Sequence, residues 1–227
     1  KIDKTLIKVS TLPPQHPCKK YVQSRMIPSS KHFMLYYTDD YLAFANKVDP
    51  TIEIPIEYRK EPRLVIPLIT ETNEVAGYQG RAMQDSKLKY ITVLYNENNG
   101  KLFGLDQYDF NEYGYTFEGP IDAMFIDNSL ATTGGRIDSL IDHRSIDKQM
   151  NTIVYDNEPR KKETVDKIKK AIDSRCRVCI WPSDVKETDV NSMIMAGRTP
   201  AEIKQIIDDN TFKGLAAELA LQKWRKI

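Results

Sequence analysis

Five carboxylates and one amide in the second half of the chain have the types and spacing to act together. Glu118 and Asp122 follow a short apolar run in YTFEGPID, Asp156 and Glu158 follow another in NTIVYDNEP, and Asp189 and Asn191 come after a third in RVCIWPSDVKETDVN. Oxygen donors of this kind are hard ligands and select Mg²⁺ or Mn²⁺. So many acids on one edge repel one another unless something cationic joins them. An acid at a helix N-terminus is favourable by roughly 0.3–1 kcal/mol without any metal. That accounts for Asp122 or Asp156 alone, but not for carboxylates following all three apolar runs.

The elements that must position these acids alternate between strand and helix. Pro120 fits the first turn of a helix with Ile121, Met124 and Phe125 as its apolar stripe. Residues 153–155 read as a strand, and a helix starting at Pro159 turns Val165, Ile168 and Ile172 inward. The segment 177–182 is a third strand, followed by a short helix through Val190, Met193 and Ile194 that ends at Gly197. Strands alternating with helices imply a parallel sheet, whose carboxyl strand ends share one rim where ligands gather. Gly134 and Gly135 read as a tight turn near that rim.

The first half is built differently. Residues up to about Pro14 read as irregular, Pro17 opens a short helix, and a second starts near Asp40 with Tyr41, Phe44, Ala45 and Val48 at helical spacing. Residues 49–61 read as loop. RLVIPLI, EVAGYQGRAM, KYITVLY and KLFGLD then read as strands of a small, mostly antiparallel sheet, with a turn at Asn98-Asn99-Gly100. The end of the chain reads as helical: Thr199 to Glu202 form a capping box, Ile203, Ile206 and Ile207 face inward, and a last helix carries Leu215, Leu219 and the basic end Lys223, Arg225 and Lys226.

Composition narrows the classes. A formal net charge of +1 does not mark a strongly basic nucleic-acid binder, so any such contact must come from a local patch. The middle of the chain is its acidic part, which suits a metal site. No apolar run approaches the roughly 18 residues that span a bilayer, and no signal peptide is visible, so no membrane association is expected. Because the first residue is Lys1, a fragment or processed product is expected. Cys176 and Cys179 have CxxC spacing, but no second pair or nearby histidine completes a zinc set. Residues three apart on a strand point to opposite faces, so these and Cys18 read as core cysteines in a reducing compartment.

Taken together and in order, Glu118-Gly119-Pro120-Ile121-Asp122, Asp156-Asn157-Glu158 and Asp189-Val190-Asn191 resemble the signature of the TOPRIM domain. That domain is shared by bacterial-type primases, topoisomerases and some nucleases. KYVQSRMIP, RLVIPL, GYQGRAM, KYITV and LFGLD resemble the run that precedes TOPRIM in primases, and the chain as a whole is most similar to primases of T-even-like bacteriophages. The expected fold is therefore α/β: a TOPRIM parallel sheet flanked by helices over residues 113–197, a smaller α+β subdomain over 1–112 before it, and a helical segment over 198–227 after it. The sequence departs from bacterial members in carrying Asn191 for a second Asp and Glu158 for Asp, and from phage relatives in carrying Thr188 for Lys.

The resemblance implies DNA-dependent synthesis of short RNA primers by nucleotidyl transfer. It makes Glu118, Asp156 and Glu158 the primary ligands of Mg²⁺ or Mn²⁺, with Asp122, Asp189 and Asn191 further or water-mediated ligands; Glu118 is alternatively a base for the attacking hydroxyl. Arg63, Arg81, Lys89 and Lys101 are the implied nucleotide- or DNA-binding residues, Arg81 following two glycines that would let a phosphate approach the backbone. Tyr90 stacks on a base or belongs to the core. Implied partners are a single-stranded DNA template, ribonucleoside triphosphates and a replicative helicase, in the cytoplasm of an infected host. The family's zinc-binding module is not among these residues, so no zinc is expected. A TOPRIM nuclease and a non-catalytic replisome module are the alternative classes.

Overall fold

The computed structural model describes residues 1–55, 58, 60–96, 101–134, 143 and 145–227. They divide into two compact units, Lys1–Asp106 and Gln107–Ile227, so residues 198–227 fall within the second.

The first unit is an antiparallel sheet of β1 (Ile7–Lys8), β2 (Tyr36–Thr38), β3 (Arg63–Ile69), β4 (Val75–Ala82) and β5 (Tyr90–Leu94), in that spatial order. The short strand β6 (Leu102–Phe103) comes near the end of the unit and does not belong to this sheet, to which the sequence pattern assigned it. Helix α1 (Pro17–Ser24) starts at its proline, and α2 (Tyr41–Val48) is capped by Asp40, whose carboxylate accepts from the Ala43 amide at 2.9 Å. Tyr41, Phe44, Ala45 and Val48 recur at helical spacing because they pack one core with Tyr36, Val65, Tyr78 and Val93. Pro67 is tolerated in β3 because the pairing with β2 covers only Arg63–Val65, so its missing N–H does not break that ladder. The start of the chain is more ordered than its polar sequence suggested. Besides β1 it forms a 3₁₀ turn, Val9–Thr11, around a buried Val9 whose amide bonds the Leu35 carbonyl at 2.9 Å. The turn expected at residues 98–100 lies outside the described residues.

The second unit is built on four parallel strands, β7 (Gly114–Phe117), β8 (Ser129–Thr132), β9 (Asn151–Val154) and β10 (Arg177–Cys179), ordered β10-β9-β7-β8. Its helices are α3 (Pro120–Ala123), α4 (Lys162–Asp173), α5 (Val190–Met195), α6 (Pro200–Asp209) and α7 (Gly214–Trp224). Val165, Ile168 and Ile172 of α4 are buried as the periodicity required, and α6 carries the complete Thr199–Glu202 capping box. All three cysteines are free and buried.

Three details differ from the sequence reading. Helix α4 begins at Lys162, not Pro159, because residues 156–161 turn back on themselves: Glu158 N bonds Asp156 O at 2.9 Å and Lys161 N bonds Glu158 O at 3.0 Å. The C-terminal segment is not wholly helical, since β11 (Thr211–Phe212) pairs antiparallel with β10. Ile206 is only half-buried, beside the buried Ile203 and Ile207. Leu215 and Leu219 are exposed; Ala217, Leu221 and Trp224 form the inward face of α7.

Candidate active site

The chain's path through the parallel sheet places the acids. From β7 it moves to β8 on one side, then returns to lay β9 on the other side of β7 and β10 beyond it. The connections after β7 and β9 therefore leave in opposite directions, and a crevice opens at their carboxyl ends. Glu118 directly follows β7, and Asp156 follows β9 by one residue. Asp122 sits in the first turn of α3, and Asp189 caps α5 by accepting from the Ser192 amide at 2.6 Å. Asp122 Oδ1 accepts from the Asn191 amide at 2.8 Å, which ties the first acidic motif to the third. Glu158 is held by Thr164 Oγ1 at 2.9 Å and Lys161 Nζ at 3.1 Å. Asn191 is itself buried. Thr133 and Gly134 form the turn after β8; Gly135 lies outside the described residues.

These acids feel one another. Burial, and then the charges of Glu118, Asp122, Asp189 and Glu158 in falling order, push the Asp156 carboxyl up to about 8. Burial and the neighbouring Asp189 raise Asp122 to about 7, although the Asn191 amide works against that rise. A half-buried carboxylate prefers protonation when its neighbours are also negative. Glu118 has one oxygen, Oε1, buried without a hydrogen-bond partner among the described residues, while Oε2 lies 3.3 Å from Lys167 Nζ. Among the described residues no three His, Cys, Asp or Glu side chains form a group able to hold a metal ion by themselves. The expected six-residue set is thus not assembled as a cage. Mg²⁺ does not require one: it keeps several waters and takes one or two carboxylates together with substrate phosphates. Mutual repulsion and an orphaned carboxylate oxygen fit such a cation.

Sequence reasoning missed two residues of this rim. Lys167 on α4 reaches Glu118 at 3.3 Å and Glu163 at 3.0 Å. Burial opposes its charge, but the two carboxylates outweigh burial and raise its pKa. The Glu163–Lys167 spacing of four signals an ordinary helical pair; only the fold brings Glu118 to it. Asn157, between Asp156 and Glu158, donates its backbone amide to Thr188 O at 2.7 Å and its side-chain amide to Val185 O and Glu187 O at 3.0 and 3.1 Å. It fastens the second motif to the loop that leads to the third.

The basic set lies in the first unit and is heterogeneous. Arg63 is completely buried: its fork donates to Gly80 O at 3.1 Å, to Leu88 O at 2.8 Å and to the Glu61 carboxylate. The expected contact of Arg63 with a nucleotide is therefore corrected to a structural role in the sheet. Arg81 is half-buried, donates to Tyr21 Oη at 3.1 Å and lies 4.4 Å over the ring of its cross-strand partner Tyr90. Lys89 and Lys101 are exposed, and so is Tyr90, which removes the core alternative for that tyrosine. The glycines before Arg81 serve packing and not phosphate approach: a Cβ on Gly80 would run into the Tyr41 ring, and one on Gly77 into the Val93 carbonyl.

No family model matches the chain. It is 36% identical over 227 residues to the DNA primase of Enterobacteria phage T4, an alignment covering 97% of this chain and 64% of that protein. The chain thus spans just under two thirds of the curated relative it matches. Among solved structures, the primase catalytic core of E. coli superposes with a TM-score of 0.65 at 15% identity, covering 92% of this chain and 77% of that one. A DNA primase domain from Pseudomonas aeruginosa gives 0.65 at 15% identity over 94% and 78%. A primase catalytic domain solved bound to single-stranded DNA gives 0.61 at 14% identity over 92% and 78%. The chain is thus similar in sequence to the phage T4 DNA primase and has the α/β fold of bacterial primase catalytic cores.

Proposed function

We propose that this chain is the catalytic core of a DNA primase, joining ribonucleotides into short primers on a single-stranded DNA template. The observation that carries the reading is the acid rim at the crevice between β7 and β9, in a chain 36% identical to a phage primase. In the reaction a 3′-hydroxyl attacks the α-phosphate of a ribonucleoside triphosphate and pyrophosphate leaves. It requires neutralised charge and alignment more than a protein nucleophile.

Glu118, Asp156 and Glu158 are the primary candidates to hold a divalent cation, with Asp122, Asp189 and Asn191 as further or water-mediated ligands. Bound there, Mg²⁺ or Mn²⁺ supplies the positive charge that a triphosphate needs in order to come close to these carboxylates. Lys167 orients Glu118 and offsets part of its charge. Asn157 and the Asp122–Asn191 bond keep the three acidic motifs in register. Arg81 and the exposed Lys89 and Lys101 bind phosphates of the template or the incoming nucleotide, and Tyr90 offers a face to a base.

Primer synthesis from labelled ribonucleotides on single-stranded DNA, with Mg²⁺ and with chelator, tests the proposal. Labelled products of a few nucleotides that require both template and Mg²⁺ are expected. Degradation of the DNA with Mg²⁺ and no nucleotides would identify a TOPRIM nuclease instead, and inertness in both assays a binding module.

A further inference from the structure

A second concavity in the same unit, on the C-terminal side of the acidic motifs, has a different chemistry. It is a groove of about 540 Å³ between the loop after β9, the segment after β10, and helix α7. Its floor is apolar, with Ile180, Trp181, Val185 and Trp224 buried and Phe212 at one edge. Around it stand four exposed cations, Arg160, Lys186, Lys223 and Lys226. No carboxylate is among the lining residues, and among the described residues none of these four cations is held in an ion pair. In a chain of net charge +1, such a concentration of one sign beside an apolar floor is not a solvated average surface. On α7 the exposed Leu215 and Leu219 lie two turns and one turn before Lys223 on the same face, and they carry apolar surface up to the rim.

We propose that this groove docks an acidic peptide segment of a partner protein. One or two apolar side chains of the segment enter the floor, and its carboxylates meet Arg160, Lys186, Lys223 and Lys226. Charge complementarity selects an anionic occupant, and the floor selects a peptide over a nucleic acid. Strands of DNA or RNA bind aromatic side chains by stacking on an open ring face. Here Trp181 and Trp224 are only 3% and 9% exposed. Their indole N–H groups are engaged by Tyr155 O at 2.7 Å and Asn157 Oδ1 at 3.1 Å, so the rings wall a slot and offer no platform. An aliphatic or aromatic anchor flanked by acids fits that slot, the pattern of charged peptide recognition around a buried anchor.

The groove shares atoms with the acid rim. Trp224 bonds Asn157, which stands between Asp156 and Glu158, and the Lys226 amide bonds Pro159 O at 2.8 Å. A peptide that presses on Trp224 is therefore felt by the loop carrying the second acidic motif. Docking itself does not depend on the primase reading and can be measured without any nucleotide.

The chain's two tryptophans both line this groove, so their fluorescence reports on it. The whole chain is titrated with capped peptides carrying four glutamates around a pair of Leu or of Phe, and in parallel with an oligothymidylate. A saturable shift in tryptophan emission with at least one peptide is expected, weakening as salt rises. The double substitution Lys223→Glu and Lys226→Glu, at two exposed side chains, should raise the peptide Kd at least tenfold while circular dichroism stays unchanged. Absence of any saturable shift, or the same Kd in the double variant, overturns the proposal. Saturation by oligothymidylate at equal or lower concentration than the peptides assigns the groove to nucleic acid and overturns it as well.

Discussion

Asp156 is the rim residue whose charge the fold opposes most. Its carboxyl is pushed from an ordinary 3.8 to about 8 in the fold, so the folded state holds this proton more tightly than the unfolded chain does. Stability without metal is then fully present below about pH 4 and is lost as the pH rises towards 8. Asp122, raised to about 7, adds to the same slope. Asp156→Asn removes one charge from the cluster and should melt higher than wild type in chelator, by a margin that widens from pH 5 to pH 8. Each kcal/mol relieved should appear as roughly 2–4 °C in a chain of this size. Primer synthesis by the same variant should nearly vanish; full activity together with an unchanged melting profile would remove the rim from the reaction. The cationic residues divide the other way. Arg63→Ala leaves the Glu61 carboxylate and the carbonyls of Gly80 and Leu88 without their donor and should cost about 3 kcal/mol or more in a urea melt. Arg81→Ala gives up, among its contacts, the hydrogen bond to Tyr21 and the ring contact with Tyr90, and its stability should fall by about 1 kcal/mol or more. If Arg81 meets a phosphate, the salt dependence of single-stranded DNA binding should become shallower by about 0.7 in the log–log slope. An unchanged slope would leave Arg81 without that role.

At the scale of elements, the close fit between β4 and α2 explains a glycine that the motif GYQGR made look like a phosphate approach. The space a Cβ would need at Gly80 is filled by Tyr41, whose hydroxyl bonds Ile91 O at 2.8 Å and fixes the ring under the sheet. Gly80→Ala should overpack this contact and cost about 1–3 kcal/mol. Arg81 and Arg63 both border it, so nucleotide use should fall only as far as stability does. A variant of wild-type stability that fails to bind nucleotide would restore the phosphate reading. The loop between β9 and α4 is held differently, by the bonds from Asn157 to Val185, Glu187 and Thr188 instead of by apolar packing. Such a loop keeps its acids at the rim without burying them further.

For the whole molecule, metal should reverse the pH behaviour of the rim. A divalent cation binds the deprotonated carboxylates, so its stabilisation grows with pH while repulsion in its absence also grows. Thermal melts of the whole chain across pH 5–8 should therefore fall with pH in chelator and flatten or rise in millimolar Mg²⁺, the gap being largest at pH 8. Equal melting temperatures with and without Mg²⁺ at pH 8 would mean that the rim binds no cation. No described helix is long and apolar enough to cross a membrane.

The alternation of strand and helix in the second half, the three acidic motifs and the inward faces of α2 and α4 were legible in the sequence, because periodicity, capping and turn chemistry are local properties. The carboxylates were legible as a set since each follows an apolar strand. Other features depended on chain segments far apart. Arg63 reads like any basic residue at a strand start, and only its three-sided cage of carbonyls and carboxylate shows that it is spent. Lys167 reads as one half of a helical pair until β7 brings Glu118 beside it. Strand β11 is two residues long, too short for any pattern, and exists because β10 offers it an edge. Trp181 and Trp224, 43 positions apart, form one groove only when α7 packs beside β10. Local periodicity determines elements, but burial, ion pairing and concavity are properties of pairs of elements, and these the tertiary structure decided.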